Sequence, residues 1–192
     1  SNYYLMLEHS SSKSQKSQEI YAQKVLRYEK YFSSSSILKE NIYQETNALF
    51  ILGGGEKTEN GIIKYCSKSV ENLCGGDQQS YISSHISMLF MPSMQSFYRD
   101  FFQSILDQGD MSLLQNVQRA FLHNKKGYMF EANFYLWMHP YINDSLCLDM
   151  LMRPVKSQNE YLLIKQNGDI EGATEKASRD LHISPMTLRS AV

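Results

Sequence analysis

Residues 61–92 read GIIKYCSKSVENLCGGDQQSYISSHISMLFMP. Gly61-x-Ile63 ends a turn and opens a strand. Ser67 is a small polar residue four positions on, and Val70, Leu73 and Cys74 then recur at helical spacing. Gly75-Gly76 stops that short helix. A second short helical run follows and closes on Leu89, Met91 and Pro92. Pro92 has no N–H to donate, so it suits the first turn of a new helix. Ser93–Gln108 fits that helix, with Met94, Phe97, Phe101, Ile105 and Leu106 sharing a face and Gly109 closing it.

Upstream, Asn47–Gly55 (NALFILGGG) is an apolar strand ending in a glycine turn, and it forms a hairpin across EKTEN with Gly61–Tyr65. Downstream the period changes. Ala120–His123, Tyr128–Met138 and Leu146–Pro154 are β-rich and alternating, with turns at 123–127 (HNKKG) and 139–145 (HPYINDS). Five strands flanked by short helices and one longer helix make an α+β architecture with an antiparallel sheet.

The ends carry less. Residues 10–18 (SSSKSQKSQ) read as linker. From Gln18 to Phe32 a helical stripe of Tyr21, Val25, Tyr28 and Phe32 appears, and Ser33–Ser36 interrupts it. Tyr161–Ile183 repeats the logic of the opening stretch. A strand and a turn lead to Gly168-x-Ile170, then Thr174 and an apolar-spaced helix through Ala177 and Leu181. The chain divides into an N-terminal helix and linker (1–40), a central domain (41–156) and a terminal hairpin and helix, or the start of a second unit like the first (157–192).

The 192 residues are enough for one domain with flanking pieces. A formal net charge of −1, from 19 basic and 20 acidic residues with no long block of one sign, argues against an electrostatic grip of the domain as a whole on nucleic acid or on an anionic membrane. Cys66, Cys74 and Cys147 are odd in number and lack C-x-x-C spacing, which favours a reducing compartment over a disulfide framework or structural zinc. No apolar run reaches the ~18–20 residues that span a bilayer. The chain does not begin with Met, and it is expected to be a piece of a longer protein.

The residues quoted above resemble a PAS domain over roughly Asn47 to Val155. Gly61-x-Ile63, Leu73 and Gly75 match its opening strand and first short helix. Ile82, Leu89, Met91 and Pro92 match the stretch ending in Leu-Met-Pro. Phe121, His123, Lys125, Gly127, Tyr128 and Phe130 match the hairpin that follows the long helix. The nearest likeness is to PAS domains in large multi-span membrane proteins of ciliates and social amoebae. Ser67 stands where the family has Asn, Gly76 where it usually has Tyr, and Arg99 where a His is common. The resemblance implies a non-enzymatic sensory or protein-interaction module of a larger signalling or membrane-associated protein. The alternative is the regulatory domain of a signalling enzyme, a cyclase or kinase, whose catalytic part lies outside these residues. Either setting implies the cytoplasm or the cytoplasmic side of a membrane, with membrane contact only through the parent.

No chemistry can be assembled from the residue pattern. A flavin-adduct site needs a cysteine where the resemblance aligns His85, Ile86 and Ser87. Haem needs an axial ligand, and His9, His85, His123, His139 and His182 show no ligand spacing. His85 reads as lying on the polar side of a short helix, His123 and His139 as surface residues. No metal-ligand spacing, P-loop or nucleophile elbow occurs. Neither flavin nor haem is therefore expected. A small apolar ligand between sheet and short helices stays open, against an interior filled by side chains such as Leu89, Met91, Phe101 and Met150. Cys66 and Cys74 read as small buried hydrophobes. In the fourth strand, alternation puts Tyr128, Phe130, Phe134 and Leu136 on one face and Met129, Tyr135 and Trp137 on the other. One face is core. The other is a docking surface for a helix or a partner. The interface candidates, for a protein partner or for self-association, are Tyr21, Val25, Tyr28 and Phe32 on the N-terminal helix, with Tyr135 and Trp137 on the sheet.

Overall fold

The computed structural model describes residues 44–54, 58–108, 114, 116–139 and 146–184. The expected helix bearing Tyr21, Val25, Tyr28 and Phe32, the linker before it, His9 and most of the 139–145 turn lie outside the described residues.

Among the described residues, β1 (Ala48–Gly53), β2 (Ile63–Cys66), β3 (Val117–His123), β4 (Met129–Met138) and β5 (Cys147–Pro154) form one sheet in the order β2-β1-β5-β4-β3. Every neighbouring pair is antiparallel. Helix α1 (Val70–Cys74) and single 3-10 turns at Gln78–Ser80, Ile86–Leu89 and Pro92–Met94 follow β2 and lead into α2 (Gln95–Gln108). This is the α+β architecture expected from the sequence, an antiparallel five-stranded sheet flanked by short helices. A separate hairpin of β6 (Leu162–Ile164) and β7 (Ile170–Ala173) precedes α3 (Glu175–Asp180).

The core lies between the sheet and the α1-to-α2 excursion. Phe50, Leu52, Ile63, Leu122, Phe134, Leu136, Met150 and Met152 line the sheet side, and Val70, Tyr81, Ile86, Phe90, Phe102 and Ile105 close over them. Phe90 stacks on Tyr98 at 3.7 Å between centroids and meets Phe134 edge-on at 5.9 Å. Such mixed stacked and edge contacts stabilise a core beyond the area they bury.

Two expectations are corrected here. Phe97 is 64% exposed, and Phe102 is fully buried in its place. At about 100° per residue the two stand roughly 140° apart, and the stripe that faces the sheet centres on Tyr98, Phe101, Phe102 and Ile105. The second short helical run is also not one helix. It breaks at Ser83, whose φ is +65°, into turns capped by Asp77, which accepts from the Gln79 N–H, and by His85, which accepts from the Ser87 N–H.

Gly61 shows why the opening motif needs glycine. Its φ is +72°, and a Cβ placed there would lie 2.5 Å from His85 Nε2. Backbone strain and a collision with the imidazole combine. Gly168, at φ +91°, has nothing within 4 Å of such a Cβ. Gly61→Ala is therefore expected to cost about 2–4 kcal/mol in urea unfolding, and Gly168→Ala about 1–2 kcal/mol from the left-handed conformation alone. Equal losses at the two positions would show that the His85 contact does not matter.

Candidate functional site

Strand β4 sends Phe130, Ala132, Phe134 and Leu136 to one side and Met129, Glu131, Asn133, Tyr135 and Trp137 to the other. On this outer face Tyr135 lies opposite Leu151 and Trp137 opposite Asp149, while Ile51 of β1 flanks Asp149 from the far side. The Tyr135 and Trp137 rings lie 5.6 Å apart at 39°. The division of residues between faces is as expected. Their exposure is not: Tyr135 is 1% and Trp137 5% exposed, with Leu151 and Asp149 equally buried. Alternation tells which side a residue takes, and burial depends on what covers that side. Tyr135 and Trp137 are thus buried side chains and not exposed ones. The large apolar side chains that do reach solvent on this face stand on the two edge strands, Tyr65 on β2 and Val117 on β3.

Asp149 is the residue that sequence reasoning missed. It is a carboxylate in the middle of a central strand, 2.7 Å from His139 Nδ1. Burial pushes its carboxyl above the usual range, and the contacts with His139 and Trp137 oppose that rise. The signal was an acidic residue inside the apolar run CLDMLM. His139 is correspondingly half-buried against this carboxylate, not a free surface residue.

On the inner side, His85 caps the Ile86–Leu89 turn. Its Nδ1 accepts from the Ser87 N–H at 3.0 Å and lies 2.7 Å from the Ser87 hydroxyl. The ring faces Phe102 edge-on at 6.5 Å, so it does not lie on a polar side. Burial lowers its pKa below the ordinary 6.5, the Arg99 cation adds to the shift, and a hydrogen bond to the Asn60 backbone opposes it. Ile86 and Ser87 are buried in the core. His123 is half-buried and His182 exposed.

Cys66 and Cys74 are buried as expected. Burial pushes their thiols up to about 11 and about 12, so neither is a ready thiolate nucleophile. The β3–β4 turn closes this end. The Lys125 N–H donates to the Cys74 carbonyl, and its ammonium donates to Ser80 Oγ and lies 5.1 Å above the Tyr81 ring. Leu89 and Met150 lie in the interior, and Phe101 packs at its margin. Met91 is buried elsewhere, with its methyl against Gly172 of β7. Among the described residues no group of three or more His, Cys, Asp or Glu gathers in metal-binding geometry. No helix among them is long and apolar enough to cross a membrane.

No protein-family model matches the sequence, and no curated protein matches it significantly. Solved structures do. A PAS domain of a Desulfitobacterium hafniense protein is similar at a TM-score of 0.47 and 14% identity, over 60% of this chain and 100% of that one. The PAS domain of a Colwellia psychrerythraea protein is similar at 0.45 and 15%, over 57% and 86%. A PAS domain from a two-component sensor histidine kinase is similar at 0.43 and 11%, over 68% and 97%.

Two measurements check this geometry. Trp137→Ala is expected to cost about 3–5 kcal/mol in denaturant unfolding, the range for emptying a buried aromatic site. A loss under about 0.5 kcal/mol, typical of a surface position, would place the indole in solvent. The second concerns pH. His85 has a lowered folded pKa, so the folded state binds fewer protons, and its contribution is full above 6.5 and lost as pH falls. Asp149 has the opposite sign: its raised pKa gives a contribution present at low pH and lost as pH rises. His85→Asn keeps a capping acceptor without the titration. It should flatten the stability loss between about pH 7 and pH 5, read as the difference between variant and parent in urea midpoint.

Proposed function

We propose that this chain is a PAS-type sensory and protein-interaction module, without catalysis of its own, within a larger signalling or membrane-associated protein on the cytoplasmic side. The observation that carries this reading is the filled interior. Phe50, Leu52, Phe134, Leu136, Met150 and Met152 project from the sheet at 0–1% exposure into the side chains of α1, α2 and the turns between them. An interior occupied this way favours a scaffold that works by contact over a carrier of flavin or haem. The contact is read on the sheet's outer face. Tyr135 and Trp137 are buried at its centre, and Tyr65 and Val117, each 45% exposed, are its reachable edges and carry the contact. Edge strands with exposed apolar side chains are where a sheet accepts further protein.

Native mass spectrometry with an absorption spectrum tests the first part. The expected result is the bare chain mass with no visible band. A co-purifying flavin, haem or lipid would replace the scaffold by a ligand sensor. Sedimentation tests the second. Tyr65→Asp with Val117→Asp should weaken self-association about tenfold or more, as loss of interface anchors does, with little change in stability. An unchanged sedimentation profile of a self-associating parent would remove these edges from the interface.

A further inference from the structure

The terminal hairpin copies the first hairpin bond for bond. In the first, Ser67 clamps Leu49 twice: its N–H donates to the Leu49 carbonyl at 2.8 Å and its hydroxyl accepts from the Leu49 N–H at 2.9 Å. In the second, Thr174 does the same to Tyr161, at 3.0 Å and 3.2 Å. Gly53 N–H donates to the Ile62 carbonyl and Gly61 N–H to the Gly53 carbonyl; Lys165 N–H donates to the Asp169 carbonyl and Gly168 N–H to the Lys165 carbonyl. Phe50, Ile51 and Leu52 face Cys66, Tyr65 and Ile63 in β2, as Leu162, Leu163 and Ile164 face Ala173, Gly172 and Ile170 in β7. Each ladder slips at the same step, between Ile51 and Leu52 in one and between Leu163 and Ile164 in the other. Gly61 and Gly168 both have positive φ. A helix follows each clamp, with Val70 buried in α1 and Ala177 in α3.

The two hairpins differ in what covers them. Phe50 and Leu52 are fully buried, because β5 flanks them on the edge of β1 away from β2 and the α1-to-α2 excursion closes over that face. Their counterparts Leu162 and Ile164 are 36% and 55% exposed, and Leu181, the counterpart of buried Cys74, is 53% exposed. The opposite side of the second hairpin is already docked. Gly172 lies against Met91, the Tyr161 hydroxyl donates to Glu131, and the Ser93 N–H donates to Glu171 at 2.6 Å. The N–H groups of Tyr161 and Lys165 point toward β7, so by alternation those of Leu162 and Ile164 point to the open edge. The hairpin therefore presents a core face and a strand edge together, in the register that β5 occupies on β1.

We infer that Tyr161–Leu181 is the opening hairpin and helix of a second unit of the same fold. Its open edge takes an antiparallel strand supplied by polypeptide C-terminal to Val192, which flanks Leu162 and Ile164 as β5 flanks Phe50 and Leu52. The inference stands on the register match and does not rest on the functional proposal.

Hydrogen exchange tests it, comparing residues 1–192 with the same chain extended through the residues that follow in its natural polypeptide. Exchange at the Leu162 and Ile164 amides should slow at least about tenfold in the longer protein, as newly paired edge groups do. Leu162→Ser with Ile164→Ser should lower the melting temperature of the longer protein and leave that of residues 1–192 unchanged. Equal exchange in the two proteins would overturn the inference, as would a natural polypeptide that supplies no strand after residue 192. Protection within residues 1–192 that rises with concentration, together with a dimer in sedimentation, would assign the face to a second copy and overturn it as well.

Discussion

The pairing of β1 with β5 is the constraint on which the rest of the structure depends. It runs without slip from Ala48 opposite Met152 to Gly53 opposite Cys147, joining stretches about a hundred residues apart. Loop-closure entropy opposes such a pairing, though it grows only slowly with length, and the apolar residues of both strands must offset it. Phe50 beside Met150 and Leu52 beside Leu148 do so on the inner face. Because β5 also pairs with β4, it is the centre of the sheet. The chain between β2 and β3 must then cross the sheet's inner face, and α1, the 3-10 turns and α2 are that crossing.

Polar groups inside this frame are held by short, local bonds. Ser67 satisfies the backbone of Leu49 where the sheet edge turns into α1. His85 caps a turn too short to cap itself and fills the space that Gly61 leaves. Lys125 binds the β3–β4 turn to the end of α1, using its backbone N–H, its ammonium and its stem. Unbonded polar groups at these depths would each cost on the order of 1–3 kcal/mol, so the three connections between elements also satisfy the buried backbone. Asp149 is the one acidic side chain on the central strand β5, and His139 and Trp137 share its carboxylate environment.

Strand positions and the glycine turns were legible along the chain because alternation and turn chemistry are local properties. The face of α2 was half legible: Phe101 and Ile105 were placed correctly, and Phe97 was not, because three phenylalanines within six positions fit two adjacent stripes equally well. Of the candidate contact residues, Tyr135 and Trp137 were assigned to the correct side of β4, but their burial was not visible in the sequence. The meeting of His139 with Asp149 was likewise hidden, since it arises across a hairpin and not from spacing.

By itself the sequence determined the α+β class, the order of strands and helices, and the turn at Gly61 that opens the second strand. It also showed the likeness of Gly168-x-Ile170 to Gly61-x-Ile63. All of these follow from backbone preferences and periodicity, which act over a few residues. Only the tertiary structure decided which apolar faces are covered. Phe50 and Leu52 vanish into the core while Leu162 and Ile164, in the same local bonds, stay open. The physical reason is that burial belongs to the pair of surfaces that meet. Strand β1 has β5 against its edge and the α1-to-α2 chain over its inner face, where β6, among the described residues, has no strand on its free edge and leaves Leu162 and Ile164 exposed.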